Sequence, residues 1–407
     1  MEGGLPLLIS KQNIMKIFKN KFLFTSIITS IIVIFSITFL LNNSAANAFT
    51  ISQIEFIGEA RLPQKATFKN VETGGFSGIT YDAEKDLYYV ISDDRGEKAP
   101  ARFYTLRIDL SKGKLENGDV FPVDVTTLLN QNNQPFPPGE TDTEGIALTN
   151  RNTVFISSEG DVRKLFNPFI KEFALNSGKF IRELPIPRKF LPDPKRQQGI
   201  RNNLAFESLT ITPDNQHLFT ATENALIQDG PAAQPNVGTP CRILQYNLRT
   251  YQPEKEFLYT TEPVAEMFNF RRIFASGIPD LLALDNHGHF LSIERSFTGL
   301  AFAVSLFEVS LAGADEIQNI PSLLAVDIDK IQPVQKKLLL DLRTLDVLLD
   351  NIEGLTLGPK LPDGQRSLIL VSDNNYNPLQ RNQILAFKIK IESPIIRFLR
   401  RLIPRQK

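Results

Sequence analysis

The chain of 407 residues, with 42% hydrophobic and 22% charged side chains, has the composition of an ordinary globular protein with ample material for a core. Its 45 basic and 45 acidic side chains cancel, which excludes the strongly basic surface of a nucleic-acid-binding protein. The single cysteine excludes an internal disulfide framework and a zinc site built on cysteine ligands.

Residues 1–48 have the pattern of a targeting segment. Basic residues precede the apolar stretch "FLFTSIITSIIVIFSITFLL", and "ANA" at 46–48 then gives the small-x-small pattern of a signal-peptidase site. Cleavage after Ala48 is one outcome. Retention of the apolar stretch as an N-terminal membrane anchor is the other, because its length is enough to span a bilayer. Both outcomes predict an extracytoplasmic body that is secreted, periplasmic or associated with the envelope, and that meets a membrane only through this segment.

The body of the chain, residues 49–391, contains five copies of one pattern. Each copy has a short apolar run, a turn rich in Asp, Asn, Gly or Pro, and a second apolar run that ends in an acid, as in "EGIALTNRNTVFISSEGD". This is the pattern of a β-hairpin. The copies recur at intervals of roughly 70 residues and begin at Ser77, Glu144, Glu207, Asp280 and Glu353.

A third alternating run follows each hairpin, and most copies have a fourth. Examples are "FIKEFAL" from Phe169 and "KFIRELPIP" after Gly178. Four strands in each repeat predict an all-β fold, a β-propeller of four-stranded blades. The last copy lacks its own fourth strand, so we expect residues 51–63 to supply it and to close the ring. Five blades are visible, and a degenerate sixth blade within a long loop is the alternative. Residues 392–407 form a basic C-terminal tail.

The polar groups at the two ends of each hairpin are expected at one end of the blade. The first strand begins with one group, and the second strand runs back antiparallel to end with the other. Because first strands line the central channel of a propeller, the pattern predicts a ring of carboxylates at one channel mouth. Ring-forming positions at the ends of second strands are Asp93, Asp94, Glu159, Glu223, Glu294, Asp373, Asn374 and Asn375.

Two interpretations of this predicted ring stay open. Acids at fixed blade positions often serve structural ion pairs. Gathered like charges, however, repel one another unless a cation, a proton or an arginine neutralises them. Ligands that are all oxygens favour a hard cation, and calcium accepts six to eight of them. "DNNYNP" from Asp373 departs from an EF-hand loop at Pro378, and "DNHGH" near His287 reads as a hairpin turn rather than a zinc-ligand pair.

The segment 186–203, "IPRKFLPDPKRQQGIRNN", is strongly basic and leads directly to Glu207. It is either a solvated connection or a basic arm that grips an anionic substrate beside the ring.

Four fragments of the chain together resemble the phytase-like domain family, whose full label is "esterase-like activity of phytase". They are "FSGITYD…VISDDRG", "DTEGIAL…FISSEG", "NNLAFESLTITPDNQHLFTATEN" and "IEGLTLG…LILVSDNN". The resemblance covers about residues 70–390. It implies a secreted or envelope-located propeller whose recurring acids carry out phosphoester chemistry. The chain lacks the Arg-His-Gly nucleophile motif of histidine-acid-phosphatase phytases, so the implied mechanism is metal-assisted.

On this resemblance we expect three classes of site residue. Catalytic carboxylates are Glu144, Glu207 and Glu353. The expected metal ligands lie at the ends of the second strands and are Glu159, Glu223, Glu294, Asp373 and Asn374. The expected ion is calcium. Anionic substrate would be bound by Arg95, Arg102, Arg242, Arg295 and Arg381.

The first functional hypothesis is therefore an extracytoplasmic, calcium-dependent phosphoester hydrolase that acts as a monomer on a small phosphorylated substrate. The second is a non-catalytic propeller that binds a ligand or a partner protein through the same face. The third is a metal-dependent lactonase or another esterase. The fold alone does not choose among them, because propellers host many functions.

Overall fold

The computed structural model describes residues 50–265, 274–299 and 301–391. The predicted targeting segment and the predicted basic tail lie outside these residues. Five four-stranded antiparallel sheets form the body, and the first strand of each sheet contacts the first strand of the next sheet around a closed ring. The predicted all-β propeller of five blades is confirmed. Within the described ranges, no helix is both long and apolar enough to cross a bilayer.

Strand bounds follow the predicted repeats closely. Before the first complete blade lie β1 (Ile51–Leu62), β2 (Thr67–Phe68) and β3 (Val71–Glu72). The first blade contains β4 (Phe76–Asp82), β5 (Leu87–Ser92), β6 (Arg102–Ile108) and β7 (Val120–Thr127). The second contains β8 (Thr143–Leu148), β9 (Thr153–Ser158), β10 (Phe169–Ala174) and β11 (Phe180–Leu184).

The other three blades have the same order from the channel outward. The third contains β12 (Thr210–Ile211), β13 (His217–Ala221), β14 (Pro240–Asn247) and β15 (Gln252–Thr260). The fourth contains β16 (Ala275–Ala283), β17 (His289–Phe297), β18 (Phe302–Ser310) and β19 (Gln335–Asp341). The fifth contains β20 (Ile352–Lys360), β21 (Arg366–Ser372) and β22 (Asn382–Ile391), with β1 as its outer strand. Four short 3₁₀ helices are Arg188–Phe190, Leu323–Ala325, Ile328–Lys330 and Leu342–Thr344.

The N-terminal strand closes the ring, as the sequence predicts. Strand β1 pairs antiparallel with β22 along almost its whole length, from Ile51 opposite Ile391 to Leu62 opposite Asn382. The pairing satisfies the backbone groups of β22 that would otherwise form an open sheet edge. Its side chains also join the core between the last and first blades, where Ala60 packs with Ile384.

Glycines let the innermost strands approach each other at one channel mouth. A Cβ on Gly78 would lie 2.6 Å from the carbonyl oxygen of Glu144, and one on Gly145 would lie 2.7 Å from that of Glu207. Both distances are shorter than a side chain tolerates, so the "SG" and "EG" pairs of the repeat reflect close packing of backbones. The residue before each glycine is thereby held close to the innermost strand of the neighbouring blade.

Removal of β1 tests the closure. A chain that begins at residue 64 should lose several degrees of melting temperature and should aggregate, because β22 becomes an exposed edge. A synthetic peptide of residues 51–62 added in trans should restore part of the loss, whereas a peptide of scrambled sequence should not. Thermal unfolding followed by circular dichroism measures both effects. An unchanged melting temperature after the truncation would show that the pairing contributes nothing to stability.

Candidate functional site

The site lies where the innermost strands begin and the second strands end. Equivalent positions in different blades can be identified from the pairing of the first two strands. The equivalent pairs are Ile79 with Val90, Ile146 with Ile156 and Leu355 with Leu370. Two residues before the first member of each pair stand Ser77, Glu144 and Glu353. Three residues after the second member stand Asp93, Glu159 and Asp373. Since alternate residues of a strand share a face, all of these side chains belong to the channel mouth.

The fourth blade departs from the predicted pattern by one residue. Here Leu281 pairs with Ser292, so the position that holds an acid in the other blades is Arg295. Glu294, which the sequence predicts as a metal ligand in the ring, therefore points to the opposite face. A slip of one residue moves every side chain of a strand to the other side of the sheet.

Glu294 is bound within the interface between the third and fourth blades. Its carboxylate accepts hydrogen bonds from the Tyr259 hydroxyl at 2.8 Å, the Lys336 ammonium at 2.7 Å and the backbone N–H of Glu262 at 2.7 Å. Burial raises the pKa of Glu294 from its ordinary value, and Lys336 opposes that rise. These contacts occupy the carboxylate and hold two blades together.

Asp280 does not begin the innermost strand of its blade. By register it occupies the position of Gly145 and Gly354, and its carboxylate accepts the backbone N–H groups of Leu281 and Leu355, each at 2.8 Å. It therefore joins the innermost strands of two neighbouring blades.

Eight carboxylates make up the channel mouth, and we call them the acidic ring. Its members are Asp93, Asp142, Glu144, Glu159, Glu207, Glu223, Glu353 and Asp373. Each member other than Asp93 has at most a small part of its surface in contact with solvent, and Asp93 is half-buried. Mutual repulsion links the members electrostatically around the mouth.

Asp142 belongs to the ring although the sequence analysis did not select it. It lies two residues before Glu144, where its carbonyl accepts the backbone N–H of Glu159 at 3.0 Å. The signal was available in "DTEG", since an acid two residues before another on one strand shares its face. Oxygens of Asp93, Asp142 and Glu144 all lie within 4.8 Å of one another.

Two arginines lie within the ring, and both are bound by its members. Arg295 donates to Glu223 at 2.9 Å, to Asn351 at 2.6 Å and to Glu353. Burial lowers the pKa of Arg295, but the carboxylates around it raise it overall, so the guanidinium stays charged. Arg295 therefore ties the third and fifth blades to the fourth across the mouth.

Arg95 holds the other side of the ring. Its guanidinium forms a two-pronged ion pair with Asp142, with Nε to Oδ1 at 2.6 Å, and also donates to the side chain of Asn203. Asn203 ends the basic segment 186–203, so this contact brings the end of that segment to the ring. The segment's cations do not contact ring members. Lys189 pairs with Glu256, and Arg201 donates to the carbonyls of Ala225 and Gly230.

Burial and repulsion act together on the ring acids. Burial, and next the charge of Asp93, raise the pKa of Glu144 well above its ordinary value. Burial, and next the charge of Glu223, do the same to the pKa of Glu207. The Ser77 hydroxyl relieves part of this strain, because it donates to Glu144 and lies 3.3 Å from Glu353. Two guanidiniums cannot neutralise eight carboxylates, so protons or cations must supply the remainder.

The donor set fits a hard cation. Glu159 is only 1% exposed; one of its oxygens accepts the backbone N–H of Ala205, and the other, Oε2, has no hydrogen-bond partner among the residues that the structure describes. A buried carboxylate oxygen without a partner is costly. Together with the close oxygens of Asp93, Asp142 and Glu144, this gives an all-oxygen environment of the kind that calcium prefers.

Three of the predicted substrate-binding arginines have partners outside the ring: Arg102, Arg242 and Arg381. Arg102 pairs with Asp94 at 2.7 Å and donates to Tyr376, and it is buried. Arg242 pairs with Asp229 and Glu256.

Arg381 and Asn374 form hydrogen bonds with backbone groups of loops beside the mouth. Arg381 donates to the carbonyl of Leu348 at 3.4 Å. Asn374 accepts the backbone N–H of Gly75 at 2.9 Å, which links the fifth blade to the first. Its Oδ1 is thereby occupied.

Comparisons with known proteins find similar chains in sequence and in structure. Over 152 residues the chain is 25% identical to an uncharacterized secreted protein of Arthroderma benhamiae, a match that spans 32% of this chain and 27% of that protein. The chain thus matches less than a third of that relative's length.

Among solved structures, the Dos1 propeller aligns with a TM-score of 0.34 and 9% identity, covering 77% of this chain and 68% of its own. An endo-1,4-beta-xylanase from Bacteroides thetaiotaomicron aligns with a TM-score of 0.40 and 11% identity, covering 80% and 98%.

The family described as "Phytase-like: Esterase-like activity of phytase" matches residues 71–376. That match takes in all four fragments in which the sequence resembles this family, and it extends from β3 to the loop after β21. The chain belongs to the phytase-like family.

Proposed function

We propose that the protein is an extracytoplasmic hydrolase of phosphoesters that depends on calcium bound at the acidic ring. The observation that carries the proposal is the excess of buried carboxylates over guanidiniums at the channel mouth. A secreted relative and the pattern of residues 1–48 support the location. The substrate would be a small phosphorylated molecule, and we expect a monomer.

The charge of the ring makes a cation necessary for this activity. Arg95 and Arg295 are already paired with Asp142, Glu223 and Glu353, so neither guanidinium is free to attract an anion. Without a cation, the ring would repel phosphate. A bound calcium ion would supply positive charge to phosphate oxygens and would make a water molecule more acidic.

The residues that would hold the cation are Asp93, Asp142 and Glu144, with Glu159 and Asp373 next to them. The first three have oxygens close enough to share one ion. The unpartnered Oε2 of Glu159 is a fourth oxygen that no described protein group satisfies. Arg95 would fix the orientation of Asp142, as groups behind metal ligands commonly do.

Glu207 would act on protons at the reacting water or leaving group. Its carboxylate is buried and has no neutralising contact as close as those of Glu223 and Glu353 with Arg295. A raised pKa suits a group that accepts and returns a proton near neutral pH. Arg295 would act as a positioning residue that holds Glu353 and Glu223 at fixed places, and its charge opposes the rise that burial causes in their pKa values.

One observation favours the second candidate, a propeller that binds without catalysis. Both ring arginines are engaged, so no free cationic side chain of the ring is available to hold the phosphoryl group during transfer. Even with both arginines paired to carboxylates, the ring would still bind a ligand through a calcium ion that contacts both the ligand and the ring. The two candidates share the metal and differ only in turnover.

Calcium binding is tested by thermal unfolding of the protein depleted of metals. Calcium at about a hundred times its Kd should stabilise the fold by about 2.7 kcal/mol, because only the folded state has the site. Asp93→Asn combined with Glu144→Gln should abolish this response while preserving the circular dichroism spectrum.

Glu294→Gln is the matched control, because Glu294 is also a buried glutamate of the propeller but lies outside the acidic ring. It should lower the melting temperature through its lost contact with Lys336 and should leave the calcium response intact. A calcium response that survives in the double variant would place the ion elsewhere.

Hydrolysis is tested with p-nitrophenyl phosphate and inositol hexakisphosphate. The wild-type protein should release phosphate with calcium and not after EDTA treatment. Glu207→Gln should lower kcat by about 100-fold or more, as expected for loss of a general acid or base, while calcium still stabilises the fold. Calcium stabilisation without hydrolysis of either substrate would leave the binding propeller as the function.

The stability of the metal-free protein should depend on pH through the ring. The pKa of Glu207 is raised in the folded state, so between its ordinary value and the raised value the folded protein binds more protons than the unfolded chain. Stability from this group is therefore present at low pH and is lost as pH rises, by up to about 1.4 kcal/mol per pH unit. Glu207→Gln should be more stable than wild type at neutral pH without metal, and this advantage should shrink towards pH 4. An advantage that stays constant with pH would show that Glu207 does not titrate in this range.

A further inference from the structure

The opposite end of the channel holds a second cavity that the proposed hydrolysis does not use. Its volume is about 470 Å³, and aliphatic residues from all five blades line it, among them Ile79, Ile146, Leu209, Leu281 and Leu355. Its rim is formed by the hairpin turns of the blades. No member of the acidic ring lines this cavity. The volume is that of an ordinary small-molecule site.

Arg366 is half-buried, lines the cavity and lacks the carboxylate partners that the buried arginines of this protein have. Its Nε is buried without a hydrogen-bond partner, and the guanidinium forms no ion pair with the residues that the structure describes. Arg102, Arg242 and Arg295, in contrast, each have carboxylate partners. A guanidinium that is partly removed from water and unpaired is a ready site for a carboxylate or phosphate group.

Threonine hydroxyls of the lining add hydrogen-bond donors to the guanidinium of Arg366. The Tyr88 hydroxyl is buried without a partner among the described residues, and its ring packs on Tyr81, which lines the cavity, with ring centres 4.7 Å apart. Thr80 and Thr210 accept backbone N–H groups through their hydroxyl oxygens, which leaves their own protons to donate. A cavity with surplus donors is complementary to a ligand rich in acceptors.

The acids on the rim do not cancel the charge of Arg366. Asp82 pairs with Lys85 at 3.0 Å and accepts the backbone N–H of Glu84, also at 3.0 Å. Asp86 accepts the Tyr81 hydroxyl at 2.8 Å. Glu84 is exposed, where water screens its charge.

We propose that this cavity binds a small organic oxyanion, a carboxylate or a phosphate ester with a hydroxylated body, through the guanidinium of Arg366. The acceptor oxygens of the anion would satisfy Arg366, and the hydroxyl oxygens of its body would accept hydrogen bonds from Thr80 and Thr210. This site is separate from the acidic ring and needs no metal. The proposal does not depend on the proposed hydrolase activity.

The test uses protein depleted of metals with EDTA and then freed of EDTA by gel filtration, in a chloride buffer. Without a cation the acidic ring repels anions, so any anion that binds must bind elsewhere. Calorimetric titrations compare glucose 6-phosphate, gluconate, inorganic phosphate and uncharged glucose. We expect glucose 6-phosphate or gluconate to bind and glucose not to bind; the two anions distinguish a phosphate site from a carboxylate site.

Arg366→Gln should weaken this binding by about tenfold or more, the size of a lost charge-assisted contact. Arg107→Gln, which removes an exposed arginine outside the cavity, should leave the affinity unchanged. Arg366→Lys gives a second variant that keeps the positive charge but not the planar, two-pronged donor of the guanidinium, and it should retain part of the binding that Arg366→Gln loses. Failure of every anionic probe to bind, or binding that Arg366→Gln leaves intact, would overturn the proposal.

Discussion

Repulsion among carboxylates at one channel mouth is the constraint to which the rest of the site responds. A propeller brings the ends of its innermost strands together, so an acid repeated once or twice in each blade becomes a crowded cluster. Burial keeps water from screening these charges. Arg95, Arg295 and the hydroxyl of Ser77 offset part of this repulsion, and burial together with the remaining repulsion raises the pKa of acids such as Glu144 and Glu207.

The fourth blade shows how a repeat becomes an asymmetric site. Four blades place an acid at the end of the second strand, and the fourth places Arg295 there. One guanidinium therefore faces carboxylates from two other blades. The acids on the far side, around Asp93 and Glu144, have no such partner from the same position, and they are the ones whose oxygens approach closely enough for a cation. A ring of five identical blades would have no preferred side.

The sequence predicts the fold well because strand alternation and turn residues recur at a fixed period, and the unpaired N-terminal strand leaves only one way to close the ring. It predicts most of the acidic ring for the same reason. It misplaces Glu294 because the sequence comparison aligns Asp280 with the glutamates that begin other copies. The register instead puts Asp280 at the position of Gly145 and Gly354, so the second strand of that blade ends with Arg295 at the mouth. It cannot tell Arg295 from Arg102 or Arg242, since their roles depend on carboxylates that are distant along the chain, such as Asp229 for Arg242.

The pairing of β1 with β22 also sets the order of events when the chain folds. Ser52 Oγ donates to the carbonyl of Lys390, a contact that spans 338 positions of sequence. Strand β1 is synthesised before the other strands of the propeller, but it cannot pair until β22 has been synthesised. Contacts of such long range form slowly. Until then the ring is open at both sides of the seam, and its two free edges can pair with other chains.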